Sequence, residues 1–451
     1  MFNILEKFEK LVRLALDAGF EKAEVFATAS ESFSVQVYEG AIEDYRVQRR
    51  AGIALRGLLN GQMGYASTEV DDEGEYADLV ARAKENALLL ESADEQFIYD
   101  GKEKLEWLSS VSPALQEVSA ERKIALAMEM EKACFAQDAR VQRTAACEVG
   151  TEHASCVLVN SEGLHRTFEN NIAYAAVEPV LAVGESQIDG FAYKFTRNFE
   201  ELDAQALAKE AVEDAVRYMN ASSMPSGSMP VVFSPDAMAT LLATFAGVFS
   251  ADNAQKGLSL LSGKEGASIA SEAVTIYDDP SDGLGYAGMP FDGEGVPTSK
   301  KAVVDKGVLS TLLYTLKTAK KAGKATTGNA SRPSYASTVG TAPTNFYIAP
   351  GAQSAQEVYA LAGDSVRIDK LMGTHAGANP ISGDFSLAAK GMRIREGKLD
   401  GPVEQITVSG NFYSLLKGVR AVGNDLKFGM PGACAVGAPT VLADGLTIAG
   451  K

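Results

Sequence analysis

Three histidines, His153, His165 and His375, bound the acid–base and metal chemistry open to this 451-residue chain. The residues that follow them are Ala154, Arg166 and Ala376, so no H-E-x-x-H is present. A helical pair of imidazoles offered to zinc in that pattern is therefore absent. A serine nucleophile relayed through histidine would have to use one of these three, and no G-x-S-x-G elbow exists to present it. His375 with Asp384 is the best acid–base pair for a self-sufficient hydrolase. Cys147, His153, Cys156 and His165 lie close in sequence, and zinc can take two thiolates and two imidazoles. The segment reads as a hairpin, however, in which alternate residues share a face. Cys147 and His153 have the same parity and Cys156 does not. Buried thiols and partly exposed histidines fit this segment better than a metal module.

Other motifs carry less chemistry. Gly283-Leu284-Gly285-Tyr286-Ala287-Gly288 spells a dinucleotide fingerprint, which needs a strand before it and a helix after it. Asp278-Asp279-Pro280-Ser281-Asp282 and Met289-Pro290-Phe291-Asp292 spoil both flanks, so a glycine loop is expected. The acids Asp278, Asp279, Asp282, Asp292 and Glu294 fail the calcium-loop pattern, because Pro280 takes a ligand position. They read as solvated turn acids. Lys317, Lys320, Lys321 and Lys324 would form one basic helix face, solvated or in contact with a subunit. The run His375–Phe385 is rich in small residues and suits a loop or strand edge that receives an extended ligand.

The elements that must position these residues follow from periodicity. Leu5, Phe8, Leu11, Val12, Ala15 and Leu16 recur at helical steps and stop at Gly19. Short β-prone runs follow at Ala23–Ala27, Ser32–Tyr38, Ile42–Gln48 and Ile53–Leu58, with turns at Glu39-Gly40 and Asn60-Gly61. A helix is expected around Asp72–Glu91. The same order recurs: a helix at Ala120–Ala136, strands at Val141–Glu148, Ala154–Asn160, His165–Tyr174 and Ala176–Glu185, and a helix near Leu202–Tyr218. The Ser/Gly/Pro-rich stretch 222–230 reads as a linker. The domains expected are 1–222 and 230–451. The second mixes helices (Asp236–Phe249, Leu312–Lys321, Phe412–Ala421) with strands (Val231–Phe233, Val274–Tyr277, Ala302–Val304, Ser365–Leu371, Gly391–Arg395, Gln405–Val408). Helices do not alternate strictly with strands, so the fold class is α+β: an N-terminal helix–hairpin domain and a C-terminal mixed-sheet domain.

Composition narrows the classes further. Lys and Arg total 42 against 59 Asp and Glu, a net charge of −17 that repels a phosphate backbone and makes nucleic acid a poor partner. No apolar run reaches membrane-spanning length, so no membrane partner is expected. The first residues lack the basic and apolar regions of a signal peptide, and four cysteines in a chain this long are not a disulfide framework. A cytoplasmic protein is expected.

An ordered set of short motifs resembles the TldD/PmbA family, bacterial and archaeal proteins once labelled modulators of DNA gyrase. They are Asp292-Gly293-Glu294-Gly295-Val296-Pro297-Thr298, Thr327-Gly328-Asn329-Ala330-Ser331-Arg332, Thr344-Asn345-Phe346-Tyr347-Ile348-Ala349-Pro350-Gly351, Ser382-Gly383-Asp384-Phe385-Ser386 and Leu446-Thr447-Ile448-Ala449-Gly450. Val37-Tyr38-Glu39-Gly40 and Gly52-Ile53-Ala54-Leu55-Arg56 extend the likeness over nearly the whole chain. Gly293 departs from it, since the family more often has an acid there.

The resemblance implies that TldD-type chains are metallopeptidases that hold their metal with a helical H-E-x-x-x-H and a C-terminal cysteine. By register from Asp252 and Lys256-Gly257, the imidazole positions fall near Leu242 and Gly247, the glutamate near Ala243, and the cysteine at Cys434. The implied chain is of the PmbA, or TldE, branch. It binds no metal and has no catalytic residue of its own. It pairs with a TldD-type subunit that supplies the metal, expected to be zinc, and the heterodimer encloses an unfolded peptide as an added strand. A homodimer is the alternative state of the isolated chain. Asn329, Arg332, Asn379, Ser382, Gly383, Asp384 and Phe385 are the substrate-binding residues that the motifs imply. Two other readings stay open: a self-sufficient peptidase or hydrolase, and a non-enzymatic regulator acting on DNA gyrase.

Overall fold

The computed structural model describes the chain except residues 1, 71, 92, 93, 102, 106–108, 282, 431 and 433 and the side chains of residues 2 and 3. It is α+β, with helices packed on antiparallel and mixed sheets. Contacts divide it into two compact units: Met1–Met219 with Pro333–Thr338, and Asn220–Arg332 with Val339–Lys451. No helix among the described residues is long and apolar enough to cross a membrane.

The first unit is built on one seven-stranded antiparallel sheet. Its order is Gln62–Thr68, Ala41–Leu59, Lys22–Tyr38, Val141–Asn160, His165–Val183 and Ser186–Asp189, and Ala192–Thr196 also pairs with His165–Val183. Runs expected as separate strands are continuous. Ala23–Ala27 and Ser32–Tyr38 merge, as do Ile42–Gln48 and Ile53–Leu58, and the four runs between 141 and 185 become two strands. Polar residues such as Ser30 and Glu152 interrupt the apolar pattern without ending the ladder, because their main-chain groups stay paired across the sheet. The turns lie at the expected places: Glu39-Gly40 and Asn60-Gly61 all have positive φ, as tight hairpins require.

Odd-numbered residues of Lys22–Tyr38 face the core. Val25 and Ala27 meet helices Phe2–Asp17 and Tyr76–Leu89; Phe33, Val35 and Val37 meet helices Ala120–Gln137 and Ala204–Arg217. Two helix–hairpin–helix repeats thus cover one face of a shared sheet. On the other face, Glu24 and Arg56 form a buried, two-pronged ion pair at 2.7 and 3.0 Å. Tyr335, from the second half of the chain, also docks on this unit: its N–H donates to Thr28 Oγ1 at 3.2 Å and its hydroxyl to Glu69 at 2.6 Å.

In the second unit, five strands close on themselves. Lys398–Asn411, Asp384–Arg395, Ser365–Met372, Gly227–Phe233 and Val441–Ala449 pair in turn, and Val441–Ala449 pairs back to Lys398–Asn411. A six-stranded mixed sheet is built around Ile276–Asp279, Asn345–Ile348 and Ala435–Ala438. Half of the expected linker is strand, since Gly227–Phe233 is paired from its first residue. Pro230 is tolerated there because it sits at a shift in register, where its missing N–H breaks no rung. The expected helix Asp236–Phe249 is shorter: Pro235–Phe245 is α-helical and Ala246–Phe249 is a tighter 3₁₀ turn. The expected Phe412–Ala421 helix also stops early, at Lys417, and Val419–Val422 is a strand.

Candidate functional site

The helix Pro235–Phe245 starts with Ser234, whose hydroxyl accepts from the Ala237 N–H at 3.3 Å, and with Pro235 in its first turn. Its apolar face is deep in the core. Leu242 is fully buried, whereas Ala243 is exposed. Gly247 is exposed and lies on the 3₁₀ turn beyond the helix. Cys434 is partly buried against the same core, and burial, with Asp278 nearby, pushes its thiol up to about 11. Leucine, alanine and glycine supply no side-chain donor, and one thiol is too few to hold a divalent metal with a catalytic water. The metal implied by the resemblance does not fit these four positions. Among the described residues, no group of three or more His, Cys, Asp or Glu side chains could hold one elsewhere. Cys147 and Cys156 are buried, and His165 reaches Glu9 at 3.2 Å.

The seven motif-derived residues fall into two clusters. Asn379, Ser382, Gly383, Asp384 and Phe385 form one loop at the start of strand Asp384–Arg395. Asn379 Oδ1 accepts from the N–H groups of Ile381 (2.9 Å) and Ser382 (3.2 Å), and its own N–H donates to the Asp384 carbonyl. Gly383 has φ +83°, and a Cβ there would lie 2.6 Å from the Tyr413 ring, so glycine is required twice over. The exposed Asp384 carboxylate accepts from Asn411 Nδ2 and Ser382 Oγ, both at 2.8 Å, and Asn411 first and Ser382 second hold it below the usual carboxylate range. Its hydrogen bonds thus come from these two side chains rather than from His375. Phe385 is buried, 6.2 Å from Phe245, which stacks on Phe412 at 4.6 Å. Its ring supports the loop from beneath and ties it to the end of helix Pro235–Phe245. Above the loop, exposed Leu260 and Ile381 are linked through the Tyr413 hydroxyl, which accepts from the Leu260 N–H at 3.3 Å and donates to the Ile381 carbonyl at 3.5 Å.

Asn329 and Arg332 are both buried and belong to the second cluster. Asn329 Nδ2 donates to Asp278 Oδ2 at 2.7 Å, and that carboxylate also accepts from Lys301 (2.9 Å) and from the N–H (2.7 Å) and hydroxyl (2.8 Å) of Thr344. The acids read as solvated turn residues are in fact interior. Asp278, Asp279, Asp292 and Glu294 are all buried, while Asp282 lies outside the described residues. Asp292 Oδ1 accepts from the N–H groups of Glu294 (2.9 Å) and Val296 (3.0 Å), and Oδ2 from that of Ala330 (2.9 Å). It folds the Asp-Gly-Glu-Gly turn onto itself. Burial, and then the neighbouring Glu294 carboxylate, raises Asp292 to about 7. The sequence signal was present in the spacing of Asp292 two residues before Glu294 and four before Val296, an acceptor set for its own turn. The basic face is also revised: the helix is Leu316–Ala322, Gly323 ends it with φ +64°, and Lys324 beyond it pairs with Glu265.

Glycine loop 283–288 continues into no helix. The comparisons with known proteins place this α+β chain in one metallopeptidase family. The chain matches the PmbA/TldA metallopeptidase domain 1 over residues 23–87, the central domain over 113–218 and the C-terminal domain over 226–450. It is 30% identical to a protein named metalloprotease from Methanothermobacter thermautotrophicus, over 93% of this chain and 91% of that one. A metalloprotease PmbA homologue and a metalloprotease TldD homologue, both from Haemophilus influenzae, are each 24% identical, over 92% and 96% of this chain and 90% and 93% of theirs. The crystal structure of TldE from Thermococcus kodakarensis superposes with a TM-score of 0.89 at 25% identity, covering 98% of this chain and all of that one. A candidate modulator of a DNA gyrase from Thermotoga maritima does so at 0.90 and 29%, with both chains covered in full. The chain belongs to the PmbA/TldD metallopeptidase family.

Proposed function

We propose that this chain is the metal-free subunit of a two-chain peptidase. It shapes the cleft for an unfolded peptide, while a TldD-type partner supplies the metal and the activated water. The observation that carries the reading is the donor set at the helix: Leu242 is committed to the core, Ala243 and Gly247 offer no ligand, and Cys434 would be left as a single donor. A chain with these residues cannot polarise water there. The loop Asn379–Asp384, with exposed Leu260 and Ile381 beside it, supports the peptide half of the reading, because an unfolded chain presents main-chain amides and apolar side chains together. Cytoplasmic location belongs to the same proposal.

The test mixes the purified chain with a TldD-type protein and follows cleavage of an unstructured peptide. Cleavage should need both chains, and Ile381→Lys should slow it several-fold without preventing assembly. Equal digestion by the TldD-type protein alone would defeat the proposal, as would cleavage by this chain alone.

A further inference from the structure

The seven-stranded sheet of the first unit packs its helices on one face, and side chains divide between the two faces by parity. On strand His165–Val183, Ala173, Ala175 and Val177 point to the helices, so Tyr174 and Glu178 belong to the opposite face. On strand Val141–Asn160, Cys147 and Val149 point to the helices, which puts Glu148, Gly150 and Glu152 opposite. Ala192 is core, so Phe191, Tyr193 and Phe195 also belong to the helix-free face. Other parts of that face are already occupied. Tyr335 lies over Gly52, and Asn160 and Arg166 donate to the carbonyls of Tyr99 and Glu103 at 2.8 Å.

The four rings form one half-buried strip. Tyr174 and Phe195 are cross-strand partners 5.7 Å apart and 29° from parallel; Phe195 meets Tyr193 at 5.9 Å, and Tyr193 meets Phe191 at 5.6 Å. The Tyr174 ring lies flat across the sheet. A Cβ at Gly150, its cross-strand neighbour, would be 2.4 Å from it, and its hydroxyl donates to Glu148 at 2.5 Å. Glu148 and Glu152 stand on either side of Gly150, and Glu178 is on the strand of Tyr174. Among the described residues no lysine, arginine or histidine pairs with any of these three carboxylates. Arg46 and Arg50 share the face but lie beyond the Lys22–Tyr38 strand, and Arg46 is held by Asp44 at 2.6 Å. Arg197 donates to the Asn171 carbonyl at 3.2 Å. The face of an aromatic ring is the negative part of its quadrupole, so rings and carboxylates here ask for the same ligand, a cation. Residues 191, 193 and 195 place a ring at every second position, about 6.6 Å apart, which is also the repeat of same-side side chains in an extended peptide. One small cation fills a single such station; an extended chain with alternate basic residues fills several.

We infer that this strip is a docking surface for an extended peptide segment with lysine or arginine at alternate positions, whose cationic heads sit over the rings and among Glu148, Glu152 and Glu178. The inference is independent of the peptidase proposal: it concerns the first unit alone, requires no metal or partner, and is read without cleavage. The surface is shallow and the peptide must be ordered on it, so the dissociation constant is expected on the order of 10–100 μM.

The test titrates the purified full chain into a fluorescein-labelled peptide of four Arg-Ser repeats at about 50 mM salt and follows anisotropy. A peptide of the same composition, written as two Arg-Arg-Ser-Ser repeats, should bind several-fold more weakly, because it breaks the alternation. Glu148→Gln/Glu152→Gln should weaken binding of the first peptide about tenfold, and Phe195→Leu, which keeps apolar bulk but removes a ring, about threefold. Glu117→Gln/Glu210→Gln removes the same charge at exposed positions on the helix side and should leave binding unchanged. Absence of binding at about 1 mM chain overturns the inference. An equal loss in the helix-side variant also overturns it, since attraction to the net charge alone would then explain binding. Spermine that binds as tightly as the alternating peptide overturns it as well, in favour of a small-cation site. Unchanged circular dichroism and melting temperature show that each variant is folded.

Discussion

Asp292 makes three main-chain hydrogen bonds inside the fold and is nevertheless raised to about 7, since burial and Glu294 outweigh its donors. A carboxyl held that high is protonated in the native state where the unfolded chain has already ionised. Its contribution to stability is therefore complete below pH ~4 and is lost as pH rises from ~4 toward ~7. Asp292→Asn removes this titration but turns an amide N–H toward that of Ala330, at a cost of about 1–3 kcal/mol. Urea unfolding of both proteins from pH 4 to pH 8 should show the natural protein losing stability relative to the variant as pH rises. A gap that is constant with pH would mean that Asp292 titrates normally. Little of this was legible beforehand. Asp292, Glu294, Asn329 and Arg332 stood out as motif letters, but acids beside glycines look solvated in any one sequence. Only tertiary packing, which brings the Ala330 N–H and the Leu316 N–H onto these carboxylates, makes them interior.

Helix Pro235–Phe245 carries an expectation of the same kind at the level of an element. If its sequence were a lapsed metal helix with every position still facing the cleft, restoring imidazoles would be mild. The structure separates the positions instead. Leu242→His should cost about 2–5 kcal/mol, because it removes a buried leucine and buries a polar ring in a core of Phe245, Phe249 and Phe412. Ala243→Glu, at an exposed position, should lie within about 0.5 kcal/mol of the natural protein. Chemical denaturation of the two variants checks the difference; equal costs would show that Leu242 is not core. Element existence was largely readable, since the helices at Phe2–Asp17, Tyr76–Leu89, Ala120–Gln137 and Ala204–Arg217 follow strict apolar spacing. Element ends were not. The 17- to 20-residue strands run unbroken through Ser30 and Thr151, where the apolar alternation lapses while the main-chain ladder stays paired. The Leu316–Ala322 helix began late because Thr315 and Thr318 cap each other reciprocally.

For the molecule as a whole, a net charge of −17 sets the long-range field, and the Lys317–Lys321 face is interrupted by Gly323 before Lys324. Duplex DNA should therefore not retard the full chain in a gel at about 0.15 M salt. Retardation that weakens with salt and disappears in Lys320→Glu/Lys321→Glu would reverse this expectation. One further property follows from Tyr335. Its ring lies where a Cβ at Gly52 would be, at 2.6 Å, and its carbonyl accepts from the Tyr65 hydroxyl. Residues 333–338 are completed more than a hundred positions after the rest of the first unit. On a ribosome, then, the opening sheet emerges with its groove at Gly52 still vacant and is sealed only late in translation, so a truncated transcript would yield a bare slot where the finished polypeptide has a latch.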